Sequence, residues 1–370
     1  MVEKKNIIVS VTNDLSFDQR VHKVCTSLQN AGYNVLLVGR LRKNSVPLKR
    51  TYKTKRFKYI PKRGVFFYAV FNIRLFIYLM TQKVDVLHAN DLDTLLANWM
   101  VKVLRKKQLV YDTHEYFIGV PEIQSKPIVK KTWTIIEQNI FPKLKNVFTV
   151  NDSIAELYKN QYGVKINVIR NFPEAKPLEK NKTKDDLGLP KDKKIVILQG
   201  GGINVDRGSE ELLEAIALSN QLFLCIVGSG DVIEKLKIRA KEKDLFNKVL
   251  FTGLLPYEDM MQYTMNADVG VSLDKDTNVN YRFSLPNKVF DYVKAGIPVM
   301  VSNLKEVASI VKQYHIGEVC NDHLPDSILN SINEVIEKKN TYKIKEAQSM
   351  LVWKNEEPIL LSVYADINGN

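Results

Sequence analysis

Cysteine and histidine are scarce in this sequence, with three and five residues respectively among 370. Cys25, Cys225 and Cys320 are odd in number and far apart, which argues against a disulfide framework and for a reducing compartment. The histidines and cysteines form no cluster with the spacing of a zinc site, so we expect no bound metal.

An N-terminal signal sequence and a long uninterrupted apolar run are also missing. Residues 1–6 lead directly into a predicted strand, Ile7–Val11, so we expect a cytoplasmic protein. The most apolar segment, Val65–Met80, is interrupted by Asn72 and Arg74 and is short for a bilayer span. The sequence therefore predicts no transmembrane helix.

Acidic residues are outnumbered by basic ones, and the formal net charge is +13. A basic segment precedes the apolar run directly and contains Lys49, Arg50, Lys53, Lys55, Arg56, Lys58, Lys62 and Arg63. Basic residues beside an aromatic-rich helix favour peripheral docking on an anionic membrane surface. The alternative is a core helix beside a solvated basic loop. Because no known nucleic-acid-binding pattern accompanies the charge, nucleic acid is not an expected partner.

Strand-like and helix-like segments alternate along most of the chain. The helical segments carry apolar residues at three- and four-residue spacing, as at Val21, Val24, Cys25 and Leu28. Alternation of this kind predicts an α/β protein with parallel sheets covered on both faces. The predicted strands are Ile7–Val11, Asn34–Val38, Val84–His88, Gln108–Asp112, Val147–Val150, Lys194–Gln199, Gln221–Val227, Val249–Thr252, Val269–Leu273 and Pro298–Val301.

A densely charged segment with three prolines divides the chain into halves of similar size. We interpret residues 173–192 as a linker between a Rossmann-like domain of residues 1–172 and a second one of residues 193–352. In open α/β sheets ligands lie beyond the carboxyl ends of the strands, so two facing domains would place ligand sites along an interdomain cleft. Residues 353–370 are predicted to form a helix that packs back on the first domain.

The segment Ser284–Val299 carries the most informative local pattern. A turn with Pro286 leads into a short amphipathic helix that Gly296 ends, as expected from the preferences of helix termini. Lys288 and Asp291 lie three residues apart on one face, near free N–H groups that attract anions. This combination suits a nucleotide diphosphate, with the lysine for phosphate and the carboxylate for ribose. The alternative is an ordinary strand–helix–strand unit with a solvated ion pair.

Glycine-rich turns follow several predicted strands of the second half. Residues 200–202 are all glycine and would let a phosphate approach the backbone closely. Arg207, at the entry to the next helix, has the planar guanidinium that binds phosphate through two hydrogen bonds. Turns that contain Gly228 and Leu254 are of the kind that hold a base. The spacing matches neither a dinucleotide fingerprint nor a P-loop.

Five motifs of the second half occur in the order found in one enzyme family. They are Gly200–Gly208, Val227–Gly230, Phe251–Pro256, Ala267–Val271 and Asp291–Val299. The sequence resembles the retaining glycosyltransferases of family four over essentially its whole length. The resemblance implies a GT-B fold, a nucleotide-sugar donor held by the second domain, an acceptor held by the first, and transfer without a metal or other cofactor. The donor-binding residues it implies are Gly201, Gly202, Arg207, Gly228, Leu254, Ser284, Leu285, Asn287, Lys288 and Asp291.

Two positions depart from the family's pattern. The family's two glutamates, eight positions apart, fall on Phe283 and Asp291, and a phenylalanine side chain cannot bind sugar hydroxyls. The family's usual arginine after the glycine turn falls on Gly202, and its usual lysine falls on Arg207. We expect Lys288 to supply the missing charge, so that Arg207 and Lys288 act together in catalysis on the donor diphosphate. An inactive descendant is the alternative.

In the first half, His114 follows a predicted strand, where the family commonly has a histidine close to the transferring sugar. We predict that His114 hydrogen-bonds the sugar or the donor phosphate and that Glu115 orients His114 or touches the acceptor. Asp91 and Asp93 form an Asp-x-Asp pattern typical of metal sites. We interpret both as caps of the following helix.

The connection between the first strand and the first helix contains several polar residues. Ser16 and Gln19 have the spacing of a capping box, which explains them without a function. Asp18 and Arg20 remain, and we predict that one of them contacts the acceptor or the donor phosphate.

Three functions follow from these observations. The leading hypothesis is a glycosyltransferase that adds a sugar to a lipid-linked acceptor in bacterial surface polysaccharide synthesis, peripheral on the inner face of the cell membrane. The second is a nucleotide-sugar epimerase of the same architecture, which the missing carboxylate at Phe283 disfavours. The third is a non-catalytic protein that binds a nucleotide-sugar or a polysaccharide.

Overall fold

The computed structural model describes residues 4–16, 18–43, 45–59, 64–367 and 369, apart from the side chain of Glu122. The chain divides into two compact units. The first consists of Met1–Asn171 and Trp353–Asn370, and the second of Phe172–Val352. Each unit is an α/β structure with one parallel sheet, so the predicted fold class is confirmed.

The first unit is built on a seven-stranded sheet in the order β3-β2-β1-β4-β5-β6-β7, with all neighbours parallel. Its apolar strands are buried between layers of helices, as parallel sheets require. The elements, in chain order, are β1 Asn6–Asp14, α1 Gln19–Asn30, β2 Asn34–Arg40, β3 Lys53–Phe57, α2 Gly64–Thr81, β4 Val86–Asn90, α3 Leu92–Arg105, β5 Gln108–Thr113, α4 Pro121–Gln124, α5 Pro127–Ile140, β6 Asn146–Thr149, α6 Asp152–Tyr162 and β7 Asn167–Val168.

The second unit has a six-stranded sheet in the order β10-β9-β8-β11-β12-β13, again with parallel neighbours. Its strand and helix residues share one continuous apolar core. The elements are β8 Lys194–Gly200, α7 Ser209–Ala217, β9 Leu222–Gly228, α8 Ile233–Glu242, β10 Val249–Gly253, α9 Tyr257–Met265, β11 Val269–Ser272, α10 Val279–Arg282, α11 Asn287–Ala295, β12 Val299–Ser302, α12 Lys305–Tyr314, β13 Gly317–Cys320, α13 Pro325–Glu337 and α14 Ile344–Met350.

The last helix, α15 Trp353–Ile367, belongs to the first unit. The indole N–H of Trp353 donates to Ser27 Oγ on α1 over 2.9 Å. Tyr364 is buried, and its hydroxyl lies 2.6 Å from Nδ1 of His88 on β4. These contacts tie the end of the chain to the first sheet.

The segment predicted as a linker, residues 173–192, is instead part of the second unit. Leu187 and Leu189 are buried in its core. Oε1 of Gln262 on α9 accepts hydrogen bonds from the backbone of Asn181 and Lys182, each over 3.1 Å. The linker prediction was wrong because the charged and proline residues lie at the surface, while the two leucines between them pack inward.

The basic segment before α2 contains a strand that the sequence did not predict. Lys53–Phe57 pairs with β2 at the edge of the first sheet. Its lysines are exposed, and Phe57 is the only buried residue among its five. A polar edge strand has little apolar signal and so resembles a loop in sequence. Lys62 and Arg63 lie outside the residues that the structure describes.

Helix α2 buries one stripe of side chains and leaves another exposed. Phe67, Phe71, Leu75 and Leu79 are buried at four-residue spacing. Within the described residues, α2 is the one helix whose length and mean hydropathy, 1.6, would suffice for a membrane span. One such helix is weak evidence of a span, because core helices can pass the same test.

Candidate functional site

The order of strands reverses between β8 and β11 in the second sheet, and between β1 and β4 in the first. Open parallel sheets bind ligands at such switch points, beyond the carboxyl ends of the strands. Two neighbouring loops lie at this point of the second unit, one after β8 and one after β11. The backbone N–H of Lys275 donates to the carbonyl of Asp206 over 2.9 Å and joins them.

Arg207 from the first loop meets Asp274 from the second. Nη1 of Arg207 lies 2.6 Å from Oδ2 of Asp274, and the guanidinium stacks on the ring of Tyr281 at 4.2 Å. Gly208 makes this approach possible, because a Cβ at its φ of +68° would lie 2.3 Å from the carbonyl oxygen of Leu273. Within the described residues, Nε of Arg207 has no hydrogen-bond partner.

Ser284, in the turn before α11, and Lys288, the second residue of that helix, lie near the same carboxylate. Ser284 Oγ donates to Oδ2 of Asp274 over 2.9 Å. Burial lowers the pKa of Lys288; the negative charge of Asp274 opposes this shift, and the positive charge of Arg207 adds to it. The structure thus brings together the two cations that the sequence predicted, around a carboxylate that it did not single out.

The glycines predicted to bind the donor differ in their surroundings. Gly201 and Gly202 are exposed, and a Cβ at either position would meet no atom closer than 3.9 Å. Packing does not require glycine there, so these two remain candidates for close approach by a phosphate. Gly228 has a structural reason instead, because its Cβ would lie 1.8 Å from the carbonyl oxygen of Gly200 on the neighbouring strand.

Asp291, predicted to bind ribose, lies on α11 one turn after Lys288 and is already hydrogen-bonded. Its Oδ1 accepts from the hydroxyl of Tyr257 over 2.9 Å. Its Oδ2 accepts from Nε2 of Gln199 over 3.3 Å. Gln199 is held in turn by the hydroxyl of Thr264, which donates to its Oε1 over 2.6 Å.

The remaining predicted donor residues have simpler surroundings. Leu254 is 65% exposed in the turn after β10. Leu285 packs on the core of the second unit. Asn287 is exposed at the first position of α11. Pro286 precedes that helix and Gly296 ends it with a φ of +84°, as the sequence predicted.

In the first unit, His114 lies between two carboxylates at the ends of neighbouring strands. Nδ1 is 3.3 Å from Oδ2 of Asp91, and Nε2 is 3.6 Å from Oδ2 of Asp112. The backbone N–H of His114 also donates to Oδ1 of Asp91 over 2.9 Å. Burial would lower the pKa of His114, but the two carboxylates outweigh it and raise the pKa to about 9. His114 is therefore an imidazolium at neutral pH.

The structure places the carboxylates of Asp91 and Asp112 against the ring of His114. That Glu115 orients His114 or touches the acceptor stays a prediction. Asp91 precedes α3 as predicted but makes no side-chain cap. Asp93 accepts from the hydroxyl of Thr12, and burial together with the charge of Asp91 raises its pKa to about 8.

Of Asp18 and Arg20, one of which we predicted to contact the acceptor or the donor phosphate, Arg20 is engaged elsewhere. It is 3% exposed, and its Nε and Nη2 bind both oxygens of Asp112 over 2.9 and 2.7 Å. Nη1 donates to the carbonyl of Ile169 over 2.7 Å. The guanidinium is thus engaged inside the first unit on all sides.

Asp18 takes the capping role that we predicted for Ser16. Asp18 is the N-cap of α1, and its Oδ1 accepts from the backbone N–H of Val21 over 3.1 Å. Ser16 instead donates to Asp14 Oδ1 over 2.8 Å, so the predicted capping box is wrong. The predicted contact of Asp18 with the acceptor has no structural support beyond its place at the first switch point.

The structure adds residues that sequence reasoning passed over, chiefly Asp274 and Tyr257. Asp274 had a usable signal, since it follows a buried strand within two residues. Tyr257 had none, because a tyrosine at the start of a helix has no distinctive pattern. Within the residues that the structure describes, no group of three histidine, cysteine or acidic side chains is placed to hold a metal ion.

Both halves of the chain match family models of glycosyltransferases. Residues 179–350 match the model for Glycosyl transferases group 1. Residues 18–173 match the model for Glycosyltransferase Family 4. Two parallel α/β units with these matches define the class of GT-B glycosyltransferases. The chain belongs to family four of the glycosyltransferases, as its motifs implied.

Solved structures of low sequence identity share the fold. Sucrose-phosphate synthase from Thermosynechococcus elongatus gives a TM-score of 0.82 at 18% identity, covering 99% of this chain and 100% of that one. HepE from Anabaena, in complex with UDP and glucose, gives 0.76 at 14% identity, covering 98% and 100%. The lipopolysaccharide outer core galactosyltransferase WaaB gives 0.66 at 14% identity, covering 98% and 99%. Comparison with curated proteins finds no match.

Proposed function

We propose that this glycosyltransferase moves a sugar from a nucleotide-sugar to a lipid-linked saccharide acceptor, with retention at the anomeric carbon. The setting would be the synthesis of a bacterial surface polysaccharide. The observation that carries the proposal is the convergence of Arg207 and Lys288 at the switch point of the second sheet. Two cations at such a position suit a diphosphate.

Two helix N-termini add to the positive potential of this place. Arg207 lies two residues before the first residue of α7, and Ser284 and Lys288 flank the start of α11. Neither helix has a side-chain cap from the residue that precedes it, Gly208 or Pro286. Helix N-termini attract anions, so their place near Arg207 and Lys288 adds to the case for a diphosphate.

The proposed mechanism is a front-face displacement. The bond between the anomeric carbon and the diphosphate oxygen breaks, and the acceptor oxygen bonds to that carbon on the same face. The acceptor's proton passes to the leaving diphosphate oxygen. Arg207 and Lys288 stabilise the negative charge that develops on the diphosphate as it leaves. His114, an imidazolium held by Asp91 and Asp112, would donate a hydrogen bond to the sugar or the phosphate.

An exposed apolar face on α2 supports a membrane-bound acceptor. We define it as Phe66, Val70, Ile73, Ile77 and Met80, whose spacing places them on one side of the helix, opposite the buried stripe. Phe66 is 78% exposed and Ile73 60%. A patch of this kind marks an interaction surface.

Exposed lysines lie beside this face. Phe57, at the end of β3, packs against Tyr78 and Arg74 of α2, with ring and guanidinium distances of 5.2 and 4.3 Å. The exposed residues Lys53 and Lys55 precede Phe57 on the same edge strand. Basic residues next to an apolar helix face suit an anionic lipid surface, where a lipid-linked acceptor would reside.

Asn72 and Arg74 hold α2 to the rest of the first unit through hydrogen bonds. Nδ2 of Asn72 donates to the carbonyl of Asp93 over 2.9 Å, and Oδ1 of Asn72 accepts from the backbone of Ala97 over 3.2 Å. Arg74 donates to the carbonyl of Lys58 over 2.8 Å. These bonds support peripheral docking through one face of α2.

Transfer can be tested with labelled nucleotide-sugars and a bacterial membrane lipid extract. Label should appear in the lipid fraction, and the anomeric configuration of the new bond should match that of the donor. Arg207→Met and Lys288→Met should abolish transfer, whereas Lys237→Met, at an exposed pair with Glu234, should not. Isomerised free donor would instead indicate an epimerase. Binding without turnover would indicate a non-catalytic relative, and either result contradicts the proposal.

A further inference from the structure

Asp274 lies near residues of two other segments of the second unit, Arg207 before α7 and Ser284 and Lys288 around the start of α11. Its side chain is 2% exposed, and Oδ2 accepts from Nη1 of Arg207 and from the hydroxyl of Ser284. Lys288 is close enough for the charge of Asp274 to influence its protonation. Within the described part of the chain, Oδ1 of Asp274 is buried without a hydrogen-bond partner.

A buried carboxylate in this position solves a physical difficulty of the proposed donor site. Two cations that act on one diphosphate repel each other before the ligand arrives, and burial further disfavours the charge on Lys288. A negative charge between them reduces the repulsion. A hydrogen bond to one guanidinium nitrogen also restricts the rotamers of Arg207, so that less freedom is lost on binding.

We infer that Asp274 is a positioning residue for the donor diphosphate, which holds Arg207 and the Ser284 turn in place and keeps Lys288 charged. The inference rests on the proposed function, because it assigns Asp274 a part in binding the nucleotide diphosphate. Asp274 itself is not predicted to touch the ligand. Its effect passes through Arg207 and Lys288.

The test is Asp274→Asn, which preserves the shape of the side chain and removes its charge. UDP, GDP and ADP serve in turn as probes, with affinity measured by calorimetry from neutral to alkaline pH. The variant should bind the preferred nucleotide about tenfold more weakly. Its binding should also be lost at lower pH than in the wild type, because Lys288 then lacks the carboxylate that favours its charged form.

A second substitution separates this role from a general loss of structure. Arginine stays charged at all relevant pH values, so Lys288→Arg in the Asp274→Asn background should abolish the shift in pH dependence. Asp276→Asn is the matched control, since Asp276 lies two residues further along and pairs with the exposed Arg282 over 2.8 Å. That control should match the wild type in affinity and in pH dependence.

Each remaining outcome has a clear meaning. If the wild type binds a nucleotide diphosphate and Asp274→Asn binds it equally well at every pH, the inference is wrong while the proposed function stands. If Asp274→Asn weakens only the nucleotide-sugar and not the diphosphate, Asp274 contacts the sugar and its positioning role is refuted. If the wild type binds none of the nucleotides or their sugar derivatives, the proposed function fails, and the inference fails with it.

Stability is a separate concern, because Asp274 is buried. If the asparagine variant does not fold, Asp274→Glu tests the same idea by moving the charge one methylene further. It should weaken the diphosphate affinity while leaving the pH dependence close to that of the wild type. Wild-type affinity in the glutamate variant would overturn the inference.

Discussion

The hydroxyl of Tyr257 donates a hydrogen bond to Oδ1 of Asp291 over 2.9 Å, which joins the start of α9 to the middle of α11. Gln199, at the end of β8, donates to the other oxygen over 3.3 Å. These two bonds orient the carboxylate of Asp291. A carboxylate accepts hydrogen bonds from hydroxyl groups, and we propose that Asp291 accepts them from the ribose.

The first prediction concerns Asp291 as the ribose-binding residue. Asp291→Ala should weaken nucleotide diphosphate binding about ten- to a hundredfold, because a charged hydrogen bond is lost. Tyr257→Phe should weaken nucleotide diphosphate binding only about two- to tenfold, since it removes a neutral donor that orients the carboxylate. Calorimetric titration gives both values, with Tyr263→Phe on the same helix as control. Equal affinity of Asp291→Ala and wild type would exclude ribose binding by Asp291.

The second prediction is that Arg207 and Lys288 act on one group. Arg207→Met and Lys288→Met should each weaken binding of the diphosphate. The binding free energy that the double variant loses should differ from the sum of the two single losses. Groups that share a partner couple by about 0.5–3 kcal/mol. A double-mutant cycle on the dissociation constants measures this coupling. Strict additivity would show that the two cations do not share the diphosphate.

The third prediction concerns the charge on His114. Its ring should titrate near pH 9 and that of the buried His88 near pH 4, because burial dominates at His88, whereas Asp91 and Asp112 dominate at His114. Imidazole NMR signals followed with pH report both midpoints. Asp91→Asn should lower the titration midpoint of His114 and leave the fold of the protein intact. A midpoint at or below the ordinary value of 6.5 in the wild type would refute the imidazolium.

The raised pKa of His114 also has a consequence for stability. The folded pKa lies above the unfolded one, so the contribution of His114 is complete below about pH 6.5 and is lost as pH rises through about 9. Urea unfolding across this range should show the decline in the wild type. His114→Gln should flatten it, because glutamine does not titrate.

The fourth prediction concerns Arg20 and the buried ion pair that it forms with Asp112. Arg20→Met should lower the free energy of unfolding by about 3–5 kcal/mol, since it leaves a buried carboxylate without its partner. Urea unfolding followed by fluorescence measures the change. Lys237→Met, at an exposed ion pair, should cost less than about 1 kcal/mol. A small effect at Arg20 would mean that water or a neighbouring group compensates Asp112.

The fifth prediction tests membrane docking. The wild type should float with anionic liposomes at low salt, and Lys53→Gln, Lys55→Gln and Lys58→Gln together should reduce flotation strongly, because each basic residue contributes about 1 kcal/mol near such a surface. Arg56 is left unchanged, since it donates to the carbonyl of Val46 within the unit. Transfer to a short soluble acceptor should persist.

The control for this experiment removes the same charge elsewhere. Lys235, Lys339 and Lys345 are exposed in the second unit, and their replacement by glutamine should leave flotation unchanged. High salt should release the wild type, because screening weakens the attraction of exposed charges. A wild-type protein that stays in the soluble fraction at low salt would contradict docking and favour a solvated basic strand.

The sequence predicted the architecture well, for a reason that lies in parallel sheets. Their central strands are buried on both faces, so in the sequence they appear as apolar runs between segments with the apolar spacing of helices. All ten predicted strands are present, with boundaries that differ by a few residues. The three strands that it missed, Lys53–Phe57, Asn167–Val168 and Gly317–Cys320, lie at sheet edges and are short or polar.

The helix boundaries at Pro286 and Gly296 were also predictable, because residues that are near neighbours in sequence determine them. The carboxylates that face His114 were identified only by the structure. Neighbours in an extended chain point to opposite sides, so the residue that shares a side with His114 is Asp112, two positions earlier.

Only the tertiary structure decided which distant residues meet. Arg207 and Asp274 are far apart in sequence, and they come together because β8 and β11 are neighbours at the point where the strand order reverses. Arg20 meets Asp112 across the first unit in the same way, which turned a predicted ligand contact into an internal ion pair. Residue patterns specify which segments are buried strands and helices, because burial is local to each segment. Strand order depends on how all the segments pack, and that order determines which charges share a site.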